Sequence, residues 1–276
     1  MARLGAQAQR IHFGRDDWRE QVSHADFRDA IVFHLAARVH NEGATEDAFA
    51  LDNVEKTRAL AQAARAGGAR RFVFVSSIKV NGEETMDRPF HASDPPSPRD
   101  GYARSKWEAE KVLANIEGLE TVVVRSPLVY GPGAKGNLAA LLALADSPWP
   151  LPFAGIHNRR SFIDVDDLAR LLVECATAPQ AAGATILAAH PEPASTNAIV
   201  RAMRSAFGRP ARLLNVPSRL IESTATIAGA REKVRRLTRS LEVDAAAAQS
   251  LLGWTAQVSM HASVKKMVDE YLRERP

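Results

Sequence analysis

An apolar run, Phe72-Val73-Phe74-Val75, ends in Ser76-Ser77. After a stretch with prolines at 89, 95, 96 and 98 comes Tyr102-Ala103-Arg104-Ser105-Lys106. This order constrains the chain more than any other feature. The apolar run reads as a strand, the prolines enforce a loop, and Tyr102 to Ile116 has helical periodicity. Ala109, Val112, Leu113 and Ile116 supply its buried face, and Asp100 stands in a capping position. On such a helix Tyr102 and Lys106 are one turn apart and share a face. An ammonium beside a phenol favours the phenolate, so the spacing predicts a Tyr102 pKa lowered towards working pH, and with it a general acid/base. Ser77, at the end of the neighbouring strand, is placed to hydrogen-bond the same substrate oxygen.

The surrounding pattern alternates. Arg10 to Gly14 reads as a short strand and Asp17 to Ala25 as a short helix. Ile31 to Ala37 reads as a strand buried on both faces, and Glu46 to Ala66 as a helix stopped by Gly67-Gly68. Thr121 to Val124 is a further strand. Strand–helix alternation from residue 10 to 125 predicts an α/β fold with a parallel sheet and right-handed crossovers.

Past Arg125, prolines at 127, 132, 148, 150 and 152 break the rhythm. Helices are expected over 137–146, 166–178, 197–207, 218–237, 243–251 and 262–273. Short strands are expected over 161–165, 185–188 and 212–216. This reads as a smaller α+β unit laid on the sheet. The expected division is 1–130 for a Rossmann-like cofactor and catalytic domain, and 131–276 for a mainly substrate-binding domain with segments returning to the sheet.

Composition excludes several classes. The single cysteine, Cys175, allows no intramolecular disulfide, lies in a helical apolar stripe and reads as a buried inert thiol; the cytoplasm is the expected compartment. No apolar run reaches membrane-spanning length, and Met1 to Arg10 lacks a signal-peptide core. The net charge of +4 is compatible with an anionic small-molecule ligand. The densest basic stretch, Arg231 to Arg239, contains acid and no aromatics, and reads as a solvated helix face rather than a nucleic-acid surface. The histidines show no paired-ligand spacing, so no metal is expected. His34, flanked by apolar residues, reads as a satisfied core histidine. Asp164, Asp166 and Asp167 read as a helix cap rather than a metal site.

Several segments together resemble the extended short-chain dehydrogenase/reductase family, in its NAD-dependent epimerase/dehydratase branch. They are His34-Leu35-Ala36-Ala37, Asn53-Val54, Phe74-Val75-Ser76-Ser77-Ile78-Lys79-Val80-Asn81-Gly82 and Tyr102-x-x-x-Lys106. Further on come Arg125-Ser126-Pro127-Leu128-Val129-Tyr130-Gly131-Pro132, Arg160-Ser161-Phe162-Ile163-Asp164 and Leu252-Gly253-Trp254. Ser77 to Gly82 and His157 to Ser161 look most like UDP-glucose 4-epimerase-like enzymes and 4-reductases of UDP-4-keto-6-deoxy-N-acetylhexosamines, from O-antigen sugar synthesis.

The resemblance implies a doubly wound Rossmann-type sheet, NAD or NADP as cofactor, a UDP-sugar as substrate, and leaves room for a homodimer. It implies Ser77, Tyr102 and Lys106 as catalytic residues. Ala36, Ala37, Asn53, Ser76, Tyr102, Lys106 and Pro127 would line the cofactor. Lys79, Asn137 and Arg160 would meet the substrate, with Asn137 and Arg160 at its diphosphate. Leu128 and Lys56 depart from the family pattern, and Lys79 replaces a small hydroxyl residue.

The family opens with a strand and a Gly-x-x-Gly-x-x-Gly loop that meets the cofactor pyrophosphate. In this sequence the family-like residues begin at the third strand. The first two strands, the loop and the first helix are expected to be missing, through a translation start placed too late or a fragment of a longer enzyme. Coding sequence upstream of Met1 is then expected to contain the loop. A chain without it could instead be a non-catalytic remnant that binds nucleotide-sugar weakly or acts as a partner subunit. Gly131-Pro132-Gly133-Ala134-Lys135-Gly136 formally reads G-x-G-x-x-G. It is set aside because the preceding strand is expected to end at Arg125, too early for a tight turn, and because Pro132 removes an N–H.

Overall fold

The structure, a computed structural model, describes residues 8–39, 45–134, 136–227 and 231–275. In chain order the main elements begin with α1 (Trp18–His24), β1 (Ile31–His34), α2 (Glu46–Phe49) and α3 (Lys56–Ala66). They continue with β2 (Arg71–Ser77), α4 (Gly101–Ala114), β3 (Glu120–Ser126), β4 (Leu128–Tyr130), α5 (Asn137–Ala145) and β5 (Phe162–Asp164). Next come α6 (Val165–Thr177), β6 (Thr185–Leu187) and α7 (Thr196–Ala206), and then α8 (Ser218–Ile227), α9 (Arg231–Thr238), α10 (Ala246–Leu252) and α11 (Met260–Arg273).

β1, β2, β3 and β6 form one parallel sheet in the order β1-β2-β3-β6. The register sets His34 beside Phe74 and Ser77 beside Ser126. All four strands therefore end at one rim, where ligands of open parallel sheets bind. Phe72, Phe74, Val122 and Val124 are fully buried, each worth about 1.5–3 kcal/mol for its larger apolar side chains. One core lies between the sheet and α3 and α4, and another between the sheet and α6 and α10. A third, built from α5, α7 and α11 around Phe153 and Phe162, carries the later part of the chain. β6 is the segment that returns to the sheet, pairing with Val123 to Arg125.

The structure corrects several sequence-based expectations. Residues 10–14 form no strand; His12 and Phe13 lead into turns, and the Phe13 ring packs on Trp18 and His34 instead. β1 is only four residues long, with Ile31, Val32 and Phe33 half-buried, because among the described residues it pairs on one side alone. The helix over 46–66 is interrupted: Ala50–Glu55 winds as a π-turn between α2 and α3. A π-turn accommodates an extra residue and re-aims side chains within it. Residues 212–216 form no strand and contribute an isolated bridge, Leu151 to Leu213. The helix expected over 218–237 is two helices, α8 and α9. β4 runs to Tyr130, directly before Gly131, so the strand-length ground for setting aside the glycine-rich segment fails. β4 pairs with β5 in a separate two-stranded sheet, and Lys135 lies outside the described residues.

Candidate active site

α4 starts where Asp100 caps it: its Oδ1 accepts the Ala103 N–H at 2.7 Å. The cap fixes the first turn, which carries Tyr102. One turn on, Lys106 is 1% exposed, and its Nζ lies 3.9 Å from the centroid of the Phe74 ring. Among the described residues no hydrogen bond or ion pair reaches this ammonium. Burial pulls its pKa down to about 7, against the opposing charge of Glu110. A buried ammonium facing a ring on one side and lacking a hydrogen-bond acceptor is suited to a hydroxyl-bearing ligand.

Ser77, at the end of β2, lies close enough to the Tyr102 hydroxyl to bear on its ionisation. The expected lowering of the Tyr102 pKa does not occur. Burial pushes it up, Asp100 adds to the rise, and the Ser77 hydrogen bond opposes it. The Lys106 ammonium packs on Phe74 and is not among the groups that shift the phenol. Ser77, Tyr102 and Lys106 nonetheless gather at the carboxyl end of β2 and the head of α4.

The other expected site residues divide. Ala36 and Ala37 follow β1 and line a cleft of about 630 Å³ with Arg38 and Lys56. That volume is within the usual range for small-molecule sites. Pro127 is buried between β3 and β4. Ser76 is turned away from Ser77 and Tyr102: its hydroxyl donates to Glu110 Oε1 at 2.5 Å. Asn53 is 1% exposed, and its amide is already engaged. Oδ1 accepts from Arg38 N at 2.7 Å, and Nδ2 donates to Arg38 O at 3.0 Å and Ser105 Oγ at 2.9 Å. With both amide hydrogens taken, Asn53 binds the chain after β1 to α4 and has no N–H left for a cofactor. Lys79 is held in ion pairs with Asp100 and with Glu83, the latter at 3.0 Å. Asn137 is exposed at the start of α5.

Arg160 is half-buried and donates from Nη1 to Arg239 O at 3.1 Å. Burial lowers its pKa, Tyr130 opposes that, and the charge of Arg236 adds to the lowering. Arg236 was hidden in the basic run. Arg235 pairs with Glu84 at 3.0 Å and Arg239 with Glu222 at 2.7 Å, while Arg236 turns inward and keeps a buried Nε without a partner. Two guanidiniums whose fields repel, one with an orphaned donor, suit a polyanionic ligand.

A buried network also escaped the sequence pattern. Arg125 grips Glu110 with Nη2 at 2.6 Å and Nε at 3.1 Å, and donates from Nη1 to Asn81 Oδ1 at 2.9 Å. Asn81 Nδ2 holds His91 O at 2.9 Å, anchoring the proline-rich loop. The only available signal was Glu110 four residues after Lys106.

His34 and Asp164 behave as expected. His34 Nε2 bonds Thr57 Oγ1 at 2.7 Å, and burial brings its pKa down to about 3 with help from Lys106. Asp164 caps α6 through Asp166 N at 2.9 Å. Burial pushes the Cys175 thiol up to about 12. Among the described residues no group of three His, Cys, Asp or Glu side chains could hold a metal ion, and no helix is long and apolar enough to cross a membrane.

A parallel sheet with Ser77, Tyr102 and Lys106 gathered at its carboxyl rim defines the extended short-chain dehydrogenase/reductase class. The chain belongs to the NAD dependent epimerase/dehydratase family, whose model matches residues 6–188. It is 36% identical over 252 residues to a UDP-glucose 4-epimerase of Vibrio cholerae, covering 88% of this chain and 77% of that protein. In fold it is similar to a UDP-glucuronic acid 4-epimerase from Bacillus cereus in complex with NAD (TM-score 0.73, 20% identity, 95% of this chain and 79% of the other). It is also similar to RMD from Pseudomonas aeruginosa complexed with NADPH (TM-score 0.76, 19% identity, 96% and 88%).

Proposed function

We propose that the chain is an NAD(P)-dependent enzyme acting at C4 of a UDP-hexose or UDP-N-acetylhexosamine, as a 4-epimerase or a 4-keto reductase. One observation carries this reading: Ser77, Tyr102 and the buried Lys106, whose ammonium meets no hydrogen-bond acceptor among the described residues, gather at the carboxyl end of β2 and the head of α4. The likeness to the Vibrio cholerae UDP-glucose 4-epimerase supports it.

In this reading the Tyr102 hydroxyl holds and moves the proton of the C4 hydroxyl, and Ser77 hydrogen-bonds the same oxygen. Lys106 Nζ takes the ribose hydroxyls next to the nicotinamide, which fits its missing acceptor. Ala36, Ala37 and Pro127 flank the cofactor with small or apolar surface. A bound nicotinamide supplies hydride exchange at C4. Arg160 and Arg236 clasp the diphosphate, and Asn137 approaches it from α5. Residues 131–276 mainly grip the sugar nucleotide, while 1–130 carry the proton-transfer groups. Epimerisation and net reduction use the same residues.

The test is direct. The chain is mixed with UDP-glucose, UDP-galactose and their N-acetyl counterparts in the presence of NAD, and with a UDP-4-keto-6-deoxy-N-acetylhexosamine in the presence of NADH or NADPH, and C4 inversion or reduction is followed by NMR. NAD(P) binding is measured separately by calorimetry. Conversion lost in Tyr102→Phe supports the reading. Nucleotide-sugar binding with neither NAD(P) binding nor conversion would replace it with a non-catalytic, sugar-nucleotide-binding role.

A further inference from the structure

We propose that Lys79 is a positioning residue, tying the turn that carries Ser77 to the head of the helix that carries Tyr102 and neutralising the carboxylate beside that tyrosine. The inference rests on the proposed roles of Ser77 and Tyr102. It replaces the expectation that Lys79 meets the substrate.

Three contacts carry it. The Lys79 backbone N–H donates to Ser77 Oγ at 3.3 Å, so Lys79 helps orient the serine hydroxyl. Its side chain is 21% exposed, and its ammonium pairs with Asp100 and, at 3.0 Å, with Glu83. Asp100 uses its two oxygens for two tasks: Oδ1 caps α4 through Ala103 N, and Oδ2 holds Lys79. One short path therefore runs from Ser77 through Lys79 and Asp100 into the first turn of α4, one residue before Gly101 and two before Tyr102.

The electrostatics agree with the geometry. Burial works to raise the Asp100 pKa, but the Lys79 hydrogen bond, the Ala103 N–H and the charges of Lys79 and Arg236 hold it below its ordinary value. Asp100 is thus charged, and its charge opposes ionisation of Tyr102. The charged groups around the phenol are Asp100 at the head of its own helix and Lys106 one turn further on. Lys79 and Glu83 come from the turn after β2, and Arg236 from α9. Of these, Lys79 is the cation bonded to Asp100. Removing it leaves Asp100 Oδ2 without its bonded cation next to Tyr102 and frees the Ser77 turn from the helix.

The test uses the full chain. Tyrosine ionisation is titrated by ultraviolet difference absorption in wild type, Lys79→Met, Lys79→Arg, Asp100→Asn and Lys79→Met/Asp100→Asn. The chain has three tyrosines, and Tyr102→Phe identifies the relevant transition. Asparagine retains capping ability, so Asp100→Asn removes the charge and keeps the helix start. Lys79→Met should move the Tyr102 transition to higher pH. Lys79→Arg should restore it, and adding Asp100→Asn to Lys79→Met should abolish the shift. UDP dissociation constants should stay within roughly twofold throughout. An unmoved titration in Lys79→Met overturns the proposal. So does a loss of UDP-sugar affinity of about tenfold that persists in the double variant, since that marks a direct substrate contact. The titration requires no turnover, so failure of the proposed reaction and failure of this inference are read separately.

Discussion

The Lys106 ammonium sits 3.9 Å over the ring of Phe74 and is 1% exposed. A cation–π contact offsets part of its desolvation, and the remainder destabilises the fold. The pKa is about 7 when folded, against an ordinary 10.5. Between those values the unfolded chain holds the extra proton, so this group's penalty is full below pH 7 and fades as pH rises towards 10.5. Lys106→Met should therefore raise the melting temperature at pH 7 by at least about 2 °C, while abolishing turnover. A lower melting temperature at pH 7 would show that the buried ammonium is a net support.

In the proposed reaction, Tyr102→Phe removes the hydroxyl that moves the proton. Turnover at C4 should fall by about 10²–10⁴-fold. UDP binding, measured by calorimetry, should change by less than roughly twofold, because Arg160 and Arg236 lie elsewhere. Retained turnover would take the proton-transfer role away from Tyr102.

Arg125 and Glu110 are each 4% exposed and hydrogen-bonded at two points. Glu110→Ala leaves a guanidinium and the Ser76 hydroxyl buried without their acceptor. The expected loss is about 3–5 kcal/mol in urea unfolding. Replacing both Glu110 and Arg125 by methionine should recover much of that loss. A single-variant loss below about 1 kcal/mol would mean that water reaches the network.

His34 has a folded pKa of about 3 against 6.5 in the unfolded chain. Between these values the unfolded state holds the extra proton, so stability falls as pH drops from 6.5 towards 3. The slope reaches at most about 1.4 kcal/mol per pH unit. His34→Phe, which suits the aromatic surroundings of Phe13, Phe72 and Phe74, should flatten that limb of the unfolding profile between pH 7 and 5. An unchanged slope would place the acid sensitivity in other groups.

Local patterns were legible where the sequence neighbours themselves set the structure. The Asp100 cap, the Gly67-Gly68 stop and the proline-rich loop over 81–100 emerge as read; of the expected buried face of α4, Ala109 and Leu113 are buried, Val112 is half-buried and Ile116 lies beyond the helix end at Ala114. Elements whose existence depends on distant partners were not. β4 is three residues long and exists because β5 pairs with it. Arg212 to Val216 has strand-like composition but finds only an isolated bridge at Leu213. The π-turn over 50–55 carries Asn53, whose amide bonds Arg38 and Ser105.

The local placement of Ser77, Tyr102 and Lys106 was thus determined by the sequence: a strand end fixes Ser77, and a capped helix with i,i+4 spacing sets Tyr102 and Lys106 one turn apart, while the docking of β2 against α4 brings Ser77 to them. Their charge states were decided by tertiary structure. The same spacing that suggested Lys106 would lower the Tyr102 pKa says nothing about which way a flexible lysine points, and packing sent it over Phe74. Lys79 and Asp100, 21 positions apart, meet only when β2 and α4 dock. Arg236 joins Arg160 only when α9 folds back over the rim. Local order follows from steric and hydrogen-bond preferences of adjacent residues, whereas burial and long-range charge exist only after the chain has closed around them.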